Sequence, residues 1–429
     1  MFKFLKNKEV NNAGWIIGER IVQMILSFFV SILSARYLGP DNYGSLNYTA
    51  SFITFFSSIA TLGMDGVIIK KMLECPENEG NLLGGAIVLR FASSAICSTV
   101  VVCIVAFLNP GDYEKLILVS LQSLQLLFQT VNILDSWFQR YLKSKYISIA
   151  KALASVIVMG YKLWLLATAK SVVWFAFSNS LTSIVVALVL FAFYKKDKSP
   201  ALKADVRSGL CILKDSYHYI LSGVMVALYS QMDKVMIGKM LSDTFVGLYT
   251  TGTAIGSMWI FVPTAIINSF RPSILALRQA GQMESYHKRL RQLYSCIIWL
   301  CIGVSIIIFA LAPFIISVLY GASYMGAVRT LRISIWIETF AMIGTARGIW
   351  ILAENKNKFV KYYLAIGLGT NLLLNLLFIP HFGIEGAAGA TLITQITTSL
   401  IAPLCFRATK EHTKIVWEAF CCTWLFKKK

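Results

Sequence analysis

The chain has 429 residues, of which 57% are hydrophobic, 13% aromatic and only 14% charged, and it carries a formal net charge of +19. Water-soluble domains hold about 25% charged residues, so this composition excludes a soluble enzyme or binding module and indicates a membrane protein. A lipid-embedded backbone must satisfy its own polar groups, which leaves helices or a closed barrel, and apolar runs of about 20 residues select helices.

In chain order, turn and charge clusters delimit twelve apolar spans. They are about 13–36, 45–67, 82–108, 115–138, 147–168 and 171–194, then 215–238, 247–270, 292–319, 326–352, 359–380 and 384–406. The basic start, MFKFLKNKEVNN, precedes an apolar run too long for a signal-peptide core and without a small-residue cleavage site, so it is expected to stay as a cytoplasmic end. Spans one and two are joined by SARYLGPDNYG (34–44), in which Pro40 and Gly44 stop one helix and start the next while Tyr37 and Tyr43 suit the membrane interface. The longest connection, KKDKSPALKADVRSGLCILK, is a basic cytoplasmic linker at 195–214. It separates an N-terminal bundle (1–194) from a C-terminal bundle (215–406), whose first span is weakened by Asp233 and Lys234. Residues 407–429 mix Trp, Phe and Leu with lysines, as a basic amphipathic tail at the interface or a solvated tail would. The expected fold is an all-α integral membrane protein with about twelve transmembrane helices in two six-helix bundles around a central cavity.

Loop charge tests the map independently, because Lys and Arg accumulate in short cytoplasmic loops. The two alternating sets of loops and ends hold 29 and 4 basic residues, a division that one missed or invented span would scramble. The poor set contains only Arg36, Lys115, Lys170 and Lys239. Both ends are therefore expected in the cytoplasm, and the net charge calls for anionic membrane lipids as neighbours rather than nucleic acid. The nine cysteines lie mostly in apolar runs with no C-x-x-C, and are expected to be core residues rather than a metal site or disulfide framework.

A shift of 203 positions carries the first hairpin onto GKMLSDTFVGLYTTGTA: Arg36 meets Lys239, Leu38 meets Leu241, Gly44 meets Gly247 and Thr61 meets Thr264. Each stretch joins the first two spans of its half. Six spans is an even number, so the halves share one orientation, a repeat suited to alternating access.

No H-E-x-x-H, G-x-S-x-G or Walker loop occurs, the four histidines are dispersed, and the outer loops have only about four to nine residues. No catalytic residue, metal ligand or cofactor is therefore assigned, and transport is the expected class. An ionisable residue near the bilayer centre costs at least about 2.5–3.5 kcal/mol, so such residues tend to face a cavity, a partner or an interface. Asp65, Asp135, Arg347 and Lys162 lie close enough to span ends to snorkel. Arg20, Asp233 and Glu338 lie deeper. Arg90 and Arg271 stand where an anionic headgroup would enter from the cytoplasm, and the planar fork of Arg bonds two oxygens of a diphosphate at once. Asn371, Asn375 and Gln395 add polar groups in the last two spans, where hydrogen bonding between helices also accounts for them.

Four stretches, ARYLGPDNYGSLNY, QMDKVMIGKML, LAPFIISVLYGASYMGAVRTLRI and FGIEGAAGATLIT, occur in an order and spacing that resembles the polysaccharide-export (Wzx-type) flippases across nearly the whole chain. These belong to the multidrug/oligosaccharidyl-lipid/polysaccharide exporter superfamily. The resemblance implies movement of an undecaprenyl-diphosphate-linked oligosaccharide from the inner to the outer leaflet of a bacterial plasma membrane, for O-antigen, capsule or exopolysaccharide. It also implies a cationic cavity between the halves, for which Arg20, Arg90, Arg271 and Lys234 are the candidates, and cation coupling or gating at Asp65, Asp233 or Glu338. A polysaccharide polymerase and a chain-length regulator are the implied partners. The alternatives are a drug extruder of the same superfamily and a major-facilitator transporter, whose usual G-x-x-x-D-[RK]-x-G-[RK] signature is replaced here by KKMLECPENEGN.

Overall fold

The computed structural model describes residues 8–197 and 199–421, without the side chains of 8–14, 16, 17, 19–22 and 25. It falls into two compact units, one ending at Gln231 and the other starting at Met232.

The first unit holds α1 (Lys8–Ala60), α2 (Asp65–Glu74), α3 (Glu79–Leu108), α4 (Tyr113–Phe128), α5 (Leu134–Arg140), α6 (Ser144–Ala167) and α7 (Val172–Lys196). It also holds most of α8 (Val206–Met240). The continuous helical run of α1 is broken at Gly39, whose φ of 71° suits glycine, with Pro40 behind it. The Ser31 and Tyr43 hydroxyls meet at 2.9 Å, although twelve residues of straight helix would part them by about 18 Å. The chain therefore doubles back at SARYLGPDNYG as expected. Inside this unit Met64, Ile68, Met72, Leu83, Ile133 and Phe138 form the core, each fully buried.

The second unit holds the end of α8 and then α9 (Asp243–Ser257), α10 (Phe261–Gln279), α11 (Met283–Leu319), α12 (Ala327–Ala353), α13 (Val360–Ile396), the short α14 (Ala402–Cys405) and α15 (Lys410–Phe420). The offset of 203 puts Ser242 opposite Gly39, and Ser242 is the extended residue that caps α9. The repeat thus places its two turns at equivalent positions. A second reversal lies inside α13 at Gly383 (φ 60°), where Asn371 and Thr391, twenty residues apart, come within 3.1 Å.

Ten helical stretches among the described residues are long and apolar enough to cross a membrane. The first, Leu26–Glu74, and the last, Asn357–Cys405, each have 49 residues and contain the Gly39 and Gly383 reversals, so each carries two passes. Ten stretches with two doubled give the twelve spans. Large side chains face outward from the bundles, among them Phe107, Leu188, Leu221, Phe314 and Leu373, all at least 60% exposed, as a lipid-facing surface requires.

Two local features differ from the sequence reading. Residues 206–214 of the linker already belong to α8, with Asp205 as its cap: its carboxylate accepts from the Arg207 amide (3.0 Å) and the Ser208 hydroxyl (2.6 Å). The Ser208 hydrogen bond foremost holds the Asp205 carboxyl below its ordinary range. Of the eight described cysteines only Cys97 and Cys301 are buried, so most of these apolar-run thiols face outward instead of filling the core.

The rest of the linker is fastened. Gly80, Gly84 and Gly85 form a bare face on α3, and a Cβ at Gly84 would stand 2.1 Å from the Lys203 carbonyl oxygen. The Lys203 amide donates to the Gly80 carbonyl at 3.1 Å. The tail helix α15 packs Ile415, Val416 and Ala419 onto the second core and leaves Trp417 67% exposed. Residues 422–429 of the predicted tail lie outside the described residues.

Candidate functional site

Asp233 occupies the last two turns of α8 with only 6% exposure. Its Oδ1 accepts from Asn375 Nδ2 at 2.7 Å, and its Oδ2 accepts from Thr391 Oγ1 at 2.6 Å and from the Tyr249 hydroxyl. The asparagines, one helical turn apart on the first limb of α13, are linked at 3.1 Å by Asn375 Nδ2 donating to Asn371 Oδ1. Asn371 Nδ2 in turn donates to Thr391 on the returning limb at 3.1 Å, which closes a ring of four side chains. The ring exists because of the Gly383 reversal, and that turn is tight: a Cβ at Gly386 would lie 2.3 Å from the Phe378 carbonyl oxygen.

Asp233 forms no ion pair among the described residues. Its neighbour Lys234 is half-buried and acts on it through charge alone, without an ion pair among the described residues. Asn375 Oδ1, buried beside the carboxylate, has no hydrogen-bond partner among the described residues. A buried carboxylate with an orphaned amide oxygen and hydroxyl oxygens on one side is a hard-oxygen donor set, suited to a proton or a small alkali cation rather than to a soft metal. Of Asn371 and Asn375, read from the sequence as possible links between helices, Asn375 is a direct partner of Asp233 and Asn371 joins the ring through Asn375 and Thr391. Tyr249 and Thr391 carried no sequence signal beyond being polar in a span.

The other predicted residues are placed as follows. Arg90 is 1% exposed and its Nη2 lies 2.8 Å from Asp65 Oδ1, so these two candidates are each other's partner. Lys151 and Asp135 pair nearby at 2.9 Å. Arg271 is exposed on α10 just ahead of Pro272, and Glu338 is half-buried near the middle of α12; neither forms an ion pair among the described residues. The side chain of Arg20 lies outside the described residues. Sequence reasoning missed the buried carboxylate Glu79, which binds Arg140, Tyr141 (2.9 Å) and Trp137 (3.2 Å) in the first unit. Its place at a span end gave no sign that it would be buried.

Two all-helical bundles joined by a continuous α8, with reversals at equivalent turns and a buried carboxylate ring, define a multi-pass transporter fold. The lipid II flippase MurJ in an inward closed conformation superposes with a TM-score of 0.74 over 98% of this chain and 93% of that one, at 15% identity. An inward-facing multidrug resistance MATE family transporter of the MOP superfamily superposes with a TM-score of 0.67 over 90% and 96%, at 13% identity. The model of the polysaccharide biosynthesis protein family matches residues 10–274, more than half of the chain. The chain belongs to that family, as its motifs indicated. A probable flippase, AglR of Haloferax volcanii, is 23% identical over 402 residues, 90% of this chain and 80% of the relative. The probable low-salt glycan biosynthesis flippase Agl15 of the same organism is 21% identical over 392 residues, with the same coverage.

Proposed function

We propose that the protein is a flippase that moves an undecaprenyl-diphosphate-linked oligosaccharide, a repeat unit of O-antigen, capsule or exopolysaccharide, from the inner to the outer leaflet of a bacterial plasma membrane by alternating access. The family match over residues 10–274 carries this reading. The relatives named as flippases and the shared fold with MurJ support it. Arg20, Arg90, Arg271 and Lys234 are the basic residues proposed to meet the anionic headgroup. For Arg90 this requires the pair with Asp65 to open, which makes Asp65 its gate.

Transport is coupled to a proton or sodium gradient through Asp233, and its ring with Asn375, Asn371 and Thr391, together with the Tyr249 hydroxyl, supports that role. Glu338 is proposed as a second protonatable position in the same unit.

The test is expression in a panel of flippase-deficient strains that make different surface glycans. Surface polysaccharide restored in at least one strain is expected. Failure throughout, accompanied by gained resistance to cationic drugs, would assign the chain to the drug-extruding relatives whose fold it shares.

A further inference from the structure

A second polar site lies wholly within the first unit. A cavity of about 150 Å³ is walled by α1, α6 and α7. Its polar lining is Gln23 and Ser27 from α1, Ser155 and Lys162 from α6, and Asn179 and Thr182 from α7. Gln23 and Ser27 are four residues apart, and Ser155 and Lys162 seven, so helical periodicity brings each pair onto one face. The volume exceeds by an order of magnitude the roughly 10–15 Å³ that one water requires. Its walls carry one cation, three hydroxyls and two amides, and no acidic residue.

From the sequence, Lys162 was expected to snorkel, since it lies five residues from the end of α6 at Ala167, about 8 Å of helical rise. The structure places it in a cavity wall. Side chains on a helix lean toward its N-terminus, and Lys162 lines the same cavity as Ser155, two turns back toward the middle of α6. Lys162 is therefore part of the cavity wall, and it forms no ion pair or hydrogen bond among the described residues. The surroundings select against a cationic ligand and favour an oxyanion on a hydroxylated body. The lysine supplies a compact charge while hydroxyls and amides bond the flanking oxygens.

We propose that this cavity is an oxyanion subsite that holds one phosphate or carboxylate group of the lipid-linked glycan, with Lys162 as the charge and Ser155, Asn179 and Thr182 as its hydrogen-bonding partners. The identity of the ligand rests on the flippase reading; the anionic preference rests on the cavity alone.

The experiment measures binding to the full chain in lipid nanodiscs with three probes: undecaprenyl diphosphate, glucuronic acid, and glucose as the uncharged comparator. Lys162→Met is expected to weaken binding of at least one anionic probe by about tenfold or more, the loss of one charge-assisted contact, while Lys162→Arg keeps it and glucose is unaffected. Loss confined to undecaprenyl diphosphate assigns the oxyanion to the lipid diphosphate; loss confined to glucuronic acid assigns it to an acidic sugar. Wild-type affinity of Lys162→Met for both anions overturns the proposal, and so does equal loss in Lys162→Arg. If Lys162→Met fails to fold, the double variant Asn179→Leu, Thr182→Val is read in its place, and unchanged anion binding there overturns the proposal. Anion binding without translocation in proteoliposomes would leave the subsite standing and remove the flippase reading.

Discussion

At Asp233 the chemistry turns on a buried charge whose hydrogen-bonding partners are all neutral. Three neutral donors hold the carboxylate, and a buried amide oxygen beside it has no donor. Asp233→Asn keeps the size and part of the hydrogen bonding but removes the negative charge that a cation or proton would neutralise. Substrate translocation in proteoliposomes is expected to lose its response to an imposed sodium or proton gradient, with protein yield and melting temperature near wild type. A gradient response equal to wild type would remove Asp233 from coupling. The sequence exposed the aspartate, because an ionisable residue deep in a span is costly. It could not expose the ring, since Asn371 and Thr391 become neighbours only after the chain reverses at Gly383. Lys162 shows the opposite difficulty: position along the helix pointed to an interface, and the cavity it lines takes shape only when α1 and α7 pack against α6.

At the scale of elements, glycines decide what packs against what. The first hairpin was readable from Pro40 and its glycines, and the equivalent turn at Ser242 from the offset of 203. The seating of the linker was not, because KKDKSPALKADVRSGLCILK has the composition of a solvated connection. What fastens it is the absence of side chains on a different helix, α3, whose glycines let the backbone of 201–205 approach. A Gly84→Val side chain would collide with the Lys203 backbone at its oxygen (2.1 Å), carbon (2.6 Å) and nitrogen (2.8 Å). Overpacking of this kind costs about 1–3 kcal/mol. The expected outcome is a lower melting temperature together with faster tryptic cleavage after Lys203 or Arg207. Cleavage at the wild-type rate would mean that the glycine face does not hold the segment.

For the whole molecule, the division of 29 basic loop residues against 4 predicts sidedness. Reporter fusions that fluoresce only in the cytoplasm are expected to be bright at the C-terminus and within 354–358, and dark within 168–171 and 109–112. The reverse pattern would invert the topology. Helix number and pairing into halves could be read in advance because lipid imposes both span length and the sorting of charge. The partition between units could not, since α8 runs unbroken through Gln231 and Met232. The fastened linker then bears on how the protein can be taken apart. A protease directed at 199–205 meets chain already docked on α3, so the cutting rate there becomes a clock for the opening of that contact. Cutting the chain between α7 and α8 at a steady rate calls for a site engineered on the Lys195 side of the docked segment.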